Sequence, residues 1–557
     1  MILCDETESR THRKAGVWGK MTMDGLVRRT ALAHPERIAI AGSIDRSGAG
    51  QPPRQVTYAQ AEGIVAQTAA LFHALDMKPG TVVGIQMSNT INSILVCLAC
   101  WRARLIVAPI PAVWRQNEIG DTLEGQSVRA LIATQPSEID QSALRLRDSA
   151  VNLFNIRYVF GFGDDLPEGV INLDEMLSEI GDVEPIESLE QRGIPADHVA
   201  TITWTSADSE DNAPVYRSHN QWLSAGMLTY LETRLADGAS VLCPYGLTGM
   251  PAFAGAFVPW ILSSGTLHLH EYDSMDDLID HIAAVTPDLT LIPGLLANIV
   301  ADQAKDKAPT CFVVVWPIRD VETEESYTAI PNAVDLTVLD EYGAIARRAD
   351  TETNRRLIPT GKISTSYEGH VHPALLEVSV KVPGGLSSGE DGVLQSGELR
   401  VRGAMAPSPT PREASRRARF PVVSADKDGY FRTGFGCHIV SRGQNVAKPL
   451  GRLGDMIVVG GMAIPMHLLD ELFKTFPDAA DAAAFSVPDK AIGSRLYAAI
   501  VPKQLPFDAQ AFQDYLDQHK IGLHKIPSAA IAVQSIPRGP NGGVHRSKLL
   551  ETLTSPI

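Results

Sequence analysis

The sequence predicts an α/β protein, with a large multi-sheet N-terminal domain followed by a small α+β C-terminal domain. Three observations predict it. The chain has 557 residues, too many for one hydrophobic core. Its first half alternates short apolar runs with amphipathic stretches, the pattern of parallel strands covered by helices on both faces. Near Gly392 the pattern changes to strands punctuated by glycine, and a last unit starts at Gly451. The expected organisation is a disordered lead-in over 1–22, the large domain over 23–450 and the small one over 451–557.

In chain order, VTYAQAEGIVAQTAALFHALDM (56–77) spaces its apolar residues near 3.6 and predicts a helix. TVVGIQMSN (81–89) is a short buried strand, and 92–110 reads as a helix running into a strand. Further strands are predicted at RALIAT, HVATITWTS, GASVLCPY, LTLIPG and TCFVVVW. GVLQSGELRVRG and GYFRTGFGCHIVSRG predict strands on either side of APSPTPREASRRARF (406–420). That segment, rich in Pro and Arg, is expected to be an exposed loop. Its Arg412, Arg416, Arg417 and Arg419 are read as solvated rather than as an anion site. The last unit alternates MIVVGG, the helix HLLDELFKTF, the strand RLYAAIVPK and the helix AQAFQDYLDQH.

Composition is that of an ordinary globular protein: 44% hydrophobic, 20% charged, mean hydropathy −0.02. The net charge of −16 argues against a general nucleic-acid binder, while leaving room for a local basic pocket that takes a small anion. No apolar run reaches the roughly 18 residues that span a bilayer. The polar N-terminus lacks the apolar centre of a signal peptide, and Met21 or Met23 are alternative starts. A cytoplasmic protein is expected. Six cysteines are too few for a disulfide scaffold. Cys97 and Cys100 form a C-x-x-C inside SILVCLACW, where buried helix packing is the better reading.

Several segments then carry a resemblance. They are AHPERIAI, VTYAQAE and KPGTVVGIQMSN in the first half. In the second half they are SGELRVRG, DGYFRTG, GRLGDMIVVGGMAIP, AFSVPDKAIGSRLYAAIVP and IPRGPNGGVHRSKL. Their order and spacing resemble the adenylate-forming superfamily of acyl-CoA synthetases, adenylation domains and luciferases, from about Met23 to Leu553. The resemblance implies a large domain that binds ATP and a carboxylic acid, and a small domain that closes over them. It implies an acyl-adenylate, then attack by CoA or a carrier thiol.

Read position by position, the implied site is eroded. The family phosphate loop, T-S-G-T-T-G-x-P-K-G followed by S-H, aligns with 205–219. Thr205, Ser206, Ser218 and His219 match it, but Ala207 and Glu210 replace glycines, Asp208 a threonine and Ala213 the lysine. Asp208, Glu210 and Asp211 make the loop acidic. A carboxylate about 4 Å from a phosphate costs up to roughly 4 kcal/mol at an effective dielectric of about 20. The Y-G-x-T-E motif becomes Tyr342-Gly343-Ala344-Ile345-Ala346, so Ala346 stands where the family glutamate orders Mg²⁺. Tyr342 keeps the position that stacks on adenine. Trp316 and Pro317 stand where small residues lie against adenine. T-G-D, whose aspartate grips the ribose, becomes Thr433-Gly434-Phe435, although the ribose-contacting arginine is kept as Arg452. Gly543 holds the position of the adenylating lysine, and Lys548 faces elsewhere if a helix begins there. The hinge position is Gly454.

What is kept lies on the thioester side. Gly460 and Gly461 match the segment that flanks the pantetheine arm, so a CoA channel stays open as a reading beside a plain structural turn. Phe253, Phe257 and Trp260 lie in the stretch matching the acid pocket, where an acyl or aryl tunnel and buried helix packing both fit. His268 and His270 alternate on LHLHEYD and would face one side of a strand, with no third metal ligand in view beyond the adjacent Glu271. No metal site is assigned. ATP and Mg²⁺ are expected by family and disfavoured by residues. Three functions remain open: an altered ATP-dependent ligase, ATP-independent acyl transfer between CoA, a carrier or an amine, or a non-catalytic partner of an active relative. A small acyl or aryl ligand, a protein partner or a homo-oligomer fits one or another of them.

Overall fold

The computed structural model describes all residues except 44–53, 135–140, 181–195, 206–212, 304–310, 318–332, 349–356, 368–369, 382–395, 412–421, 442–443, 453–455, 460–461, 490–492, 539–543, 545 and 555–557. Two large sheets build the first domain. A seven-stranded sheet places Val82–Gln86 between Ile106–Pro109 and Val128–Ala133, and extends through Val199–Trp204 to the edge strand Pro214–Ser218. Its pairings are parallel except for the last, which is antiparallel. An eight-stranded sheet is parallel through Thr266–Leu269, Ser240–Cys243, Leu289–Pro293, Cys311–Pro317 and Val334–Val338, and ends on the antiparallel strand Ala344–Arg348.

Between the sheets lie the helices Tyr58–Ala74, Ile91–Arg102 and His219–Thr233. One apolar cluster joins Val83 and Val107 of the first sheet to Val241 and Val313 of the second. Val82, next to Val83, faces a different cluster, as the two-residue period of a strand requires. Continuous apolar strands arise because both of their faces are covered. A six-stranded antiparallel sheet containing Leu376–Lys381, Ser396–Arg402 and Phe431–Ser441 follows. The final unit pairs Ala479–Asp489 with Gly493–Pro502 under the helices Met466–Lys474 and Ala509–Gln518, around its own core. Among the described residues, no helix is long and apolar enough to cross a membrane.

Cys97 and Cys100 lie buried in the helix Ile91–Arg102, and burial pushes the Cys97 thiol up to about 12. Two local expectations are corrected. The lead-in expected to be disordered contains a helix, Glu6–Lys14, capped by Asp5, whose carboxylate accepts the Thr7 N–H at 2.7 Å. Ser9 Oγ donates to Asp197 at 2.5 Å, and the Trp18 indole donates to the Ala404 carbonyl at 3.0 Å. These partners are remote in sequence, so local polarity gave no hint of order. The segment expected to be an exposed loop is buried where it starts: Ser408 N–H donates to the Tyr216 carbonyl at 2.9 Å. Its four arginines lie outside the described residues.

Candidate active site

Thr205 and Ala213, on either side of residues 206–212, are joined by two hydrogen bonds. Thr205 N–H donates to the Ala213 carbonyl at 2.9 Å, and Ala213 N–H returns a bond to Thr205 Oγ1 at 3.1 Å. Ala213 is 2% exposed. Ser206, Ala207, Asp208, Glu210 and Asp211 lie outside the described residues. Ser218 caps the helix His219–Thr233 in a reciprocal box with Gln221. His219 is buried beside Trp101 and accepts the Met23 N–H at 3.3 Å. Burial pushes its imidazole down to about 4, so it is neutral at pH 7.

Tyr342 and Gly343 form a tight turn in which Leu339 N–H donates to the Gly343 carbonyl at 2.9 Å. The strand that follows carries Ala344, Ile345 and Ala346, all buried, with Ala346 paired against Leu336. Sequence reasoning missed the residue just before this turn. Glu341 is buried; its Oε2 accepts from Thr203 Oγ1 at 2.7 Å and its Oε1 from the Met250 N–H at 2.9 Å. Arg217 Nη1 lies 3.7 Å from Glu341 Oε2, while Nη2 donates to the Glu341 carbonyl at 2.7 Å. The Arg217 guanidinium also lies over the Trp222 ring at 4.7 Å. Desolvation pushes Glu341 up and Arg217 down to about 10, and each charge partly offsets the other's shift. A Cβ on Gly249 would lie 2.6 Å from Glu341 Oε1, so the carboxylate seat requires glycine there. The available signal was an arginine following the apolar run APVY and a glutamate directly before Tyr-Gly.

Trp316 lies against Gly294, where a Cβ would fall 2.3 Å from the indole, and its Nε1 donates to Asp335 at 2.9 Å. Gly434 adopts the left-handed region at φ 72°, and Phe435 beside it is 4% exposed. Thr433 Oγ1 donates to the Leu399 carbonyl at 2.6 Å. Phe435 pairs with Arg452 across the strands. Gly454, Gly460, Gly461 and Gly543 lie outside the described residues. Lys548 is exposed on the helix Arg546–Thr554.

Phe253 and Phe257 bound a π-helical turn, and Trp260 follows on the next helical segment. Phe253 stacks on Trp222 at 4.1 Å, and Phe257 lies 5.5 Å from Trp260 and 5.8 Å from Trp101. The structure therefore brings these three rings together as an aromatic core next to the Arg217–Glu341 pair. His268 and His270 both approach a third imidazole, His281, with ring centroids at 6.4 and 5.3 Å. His270 Nδ1 and His281 Nδ1 are 3.1 Å apart. Among the described residues, no group of three or more His, Cys, Asp or Glu side chains is placed to hold a metal ion.

Comparisons agree with this architecture. Peroxisomal OPC-8:0-CoA ligase 1 of Arabidopsis thaliana is 25% identical over 94% of this chain and 92% of its own length. The salicyl-AMP ligase / salicyl-S-ArCP synthetase of Mycobacterium tuberculosis is 22% identical over 98% and 94%. Among solved structures, the amide bond synthetase McbA from Marinactinospora thermotolerans superposes with a TM-score of 0.71 at 18% identity, covering 96% of this chain and 100% of that one. The family model described as AMP-binding enzyme matches residues 27–483, and the chain belongs to that family of acyl-CoA and aryl ligase-like proteins.

Proposed function

We propose that this chain keeps the ligase fold but has lost, or strongly altered, ATP-dependent carboxylate activation. The observation that carries the proposal is the burial of apolar side chains at positions where the resemblance implies polar ones. Ala213 and Ala346 are each 2% exposed and Phe435 is 4% exposed. Each is buried, so none of them presents a polar group of its own to a nucleotide. Trp316, seated on Gly294 and tied to Asp335, adds bulk where small residues lie against adenine in the family. The described residues do not fit ATP and Mg²⁺ held in the manner the resemblance implies. The one buried carboxylate beside the Tyr-Gly turn, Glu341, already accepts from Thr203 and Met250 and is paired with Arg217.

Removing one preorganised donor typically costs about 10² to 10³ in rate, and several are replaced here. Their effects do not add, but efficient adenylation is hard to retain. The test is a calorimetric titration with MgATP, followed by ATP–pyrophosphate exchange over a panel of acids. No binding at millimolar MgATP and no exchange are expected. Micromolar binding, or exchange clearly above background with any single acid, overturns the proposal and restores the ligase reading. If MgATP fails, binding of CoA or acyl-CoA alone separates ATP-independent acyl transfer from a non-catalytic role.

A further inference from the structure

A cavity of about 600 Å³ opens at the amino ends of the strands starting at Val82, Ile106, Val128 and Tyr158. Ligands of parallel α/β sheets ordinarily sit outside the carboxyl ends, where Thr205 lies directly after the strand Val199–Trp204. This cavity is therefore separate from the candidate active site. Its wall includes Lys78, Gln126, Arg129, Arg157, Tyr158 and Tyr216. Arg129 and Arg157 are neighbours across two parallel strands: Ala130 is in register with Tyr158, and Arg157 N–H donates to the Arg129 carbonyl at 2.8 Å. Among the described residues neither guanidinium has a carboxylate within ion-pair distance. The acid on the rim, Asp76, is held by Lys78. Gln126 is 4% exposed. Its Oε1 accepts from the Tyr216 hydroxyl at 2.6 Å, which leaves Nε2 as a buried donor with no acceptor. Two guanidiniums and an unmet amide donor on one wall are suited to an oxyanion. The volume is that of a small-molecule pocket, and Tyr158 and Tyr216 supply ring surface.

We propose that this cavity binds a small organic anion, with its phosphate or carboxylate head at Arg129, Arg157 and Gln126 Nε2 and its ring-sized body along Tyr158 and Tyr216. The probes are phenyl phosphate, benzoate and inorganic phosphate, each titrated into the full chain by calorimetry. Saturable binding of phenyl phosphate or benzoate is expected, and whichever binds more tightly identifies the head group. The organic ligand should bind at least about tenfold more tightly than inorganic phosphate, and the double variant R129Q/R157Q should weaken it at least about tenfold. Gln126→Glu keeps the acceptor for Tyr216 but turns the donor into a second acceptor, and is expected to weaken binding as well. Arg157→Gln, a change at an exposed position, gives the same direction if the double variant does not fold. No binding of either organic probe at 10 mM (~10⁻² M, far weaker than a built site) overturns the proposal. So does binding that the arginine variants leave unchanged, or inorganic phosphate binding as tightly as phenyl phosphate.

Discussion

Adjacent residues of one strand, Tyr216 and Arg217, look into two environments. Arg217 faces the core between the sheets, where Glu341 meets its charge and Thr203 and Met250 complete the carboxylate's hydrogen bonds. Tyr216 faces the cavity, where, among the described residues, Arg129 and Arg157 have no carboxylate within ion-pair distance and Gln126 has an unmet donor. Where low dielectric makes an unpaired charge costly, the chain supplies its own counter-charge. Where solvent reaches, a cation without an ion pair carries no such cost. The first region is closed and serves stability; the second is open and available to a ligand.

The largest effect should come from Glu341→Ala, which leaves Arg217 buried and uncompensated. Stability of the large domain should fall by about 3–5 kcal/mol in urea unfolding. A loss below about 1 kcal/mol would mean that water reaches the pair, and the contrast between the two regions would dissolve.

Acid should follow. His219 is held down near 4 by burial, against an ordinary 6.5. The unfolded chain binds this proton first, so the neutral imidazole's contribution is complete above pH 6.5 and is lost as pH falls towards 4. That amounts to at most roughly 3 kcal/mol for one fully buried group. His198 and His268 are lowered in the same direction. His219→Asn, which keeps an acceptor for Met23, should flatten part of the slope of stability against pH between 4 and 6.5. An unchanged slope would show that His219 is hydrated.

Thr203→Val should cost about 1.5–3 kcal/mol, because it removes a donor to a buried carboxylate. An effect as large as that of Glu341→Ala would move the centre of this region from the ion pair to the threonine. The smallest effect is expected from Arg157→Gln. At an exposed position with no ion pair among the described residues, stability should change by less than about 0.5 kcal/mol. A larger loss would show that Arg157 is paired within the fold and is not free for a ligand.

Much of the fold was legible. The strands at 82–86, 106–109 and 128–133 follow from apolar runs, and the helix Tyr58–Ala74 follows from its 3.6 spacing. The replacements proposed at Ala213, Ala346 and Phe435 come from the family resemblance, which implies polar groups at those positions. The helix Glu6–Lys14 was not legible, since it is ordered by Asp197 and Ala404, far along the sequence. The third imidazole was missed for the same reason: His281 comes from a helix packed against the strand that carries His268.

The sequence by itself determined the order of elements and, through its motifs, the family. The elements follow from local periodicity and composition, and the family from the resemblance of its motif segments. Only tertiary structure decided which charges meet. Arg217 and Glu341 are 124 residues apart and pair because two sheets pack on a shared helical layer. Arg129 and Arg157 become neighbours because a parallel crossover sets their strands side by side. Electrostatic pairing depends on distance and desolvation in space, and neither is written in the local sequence.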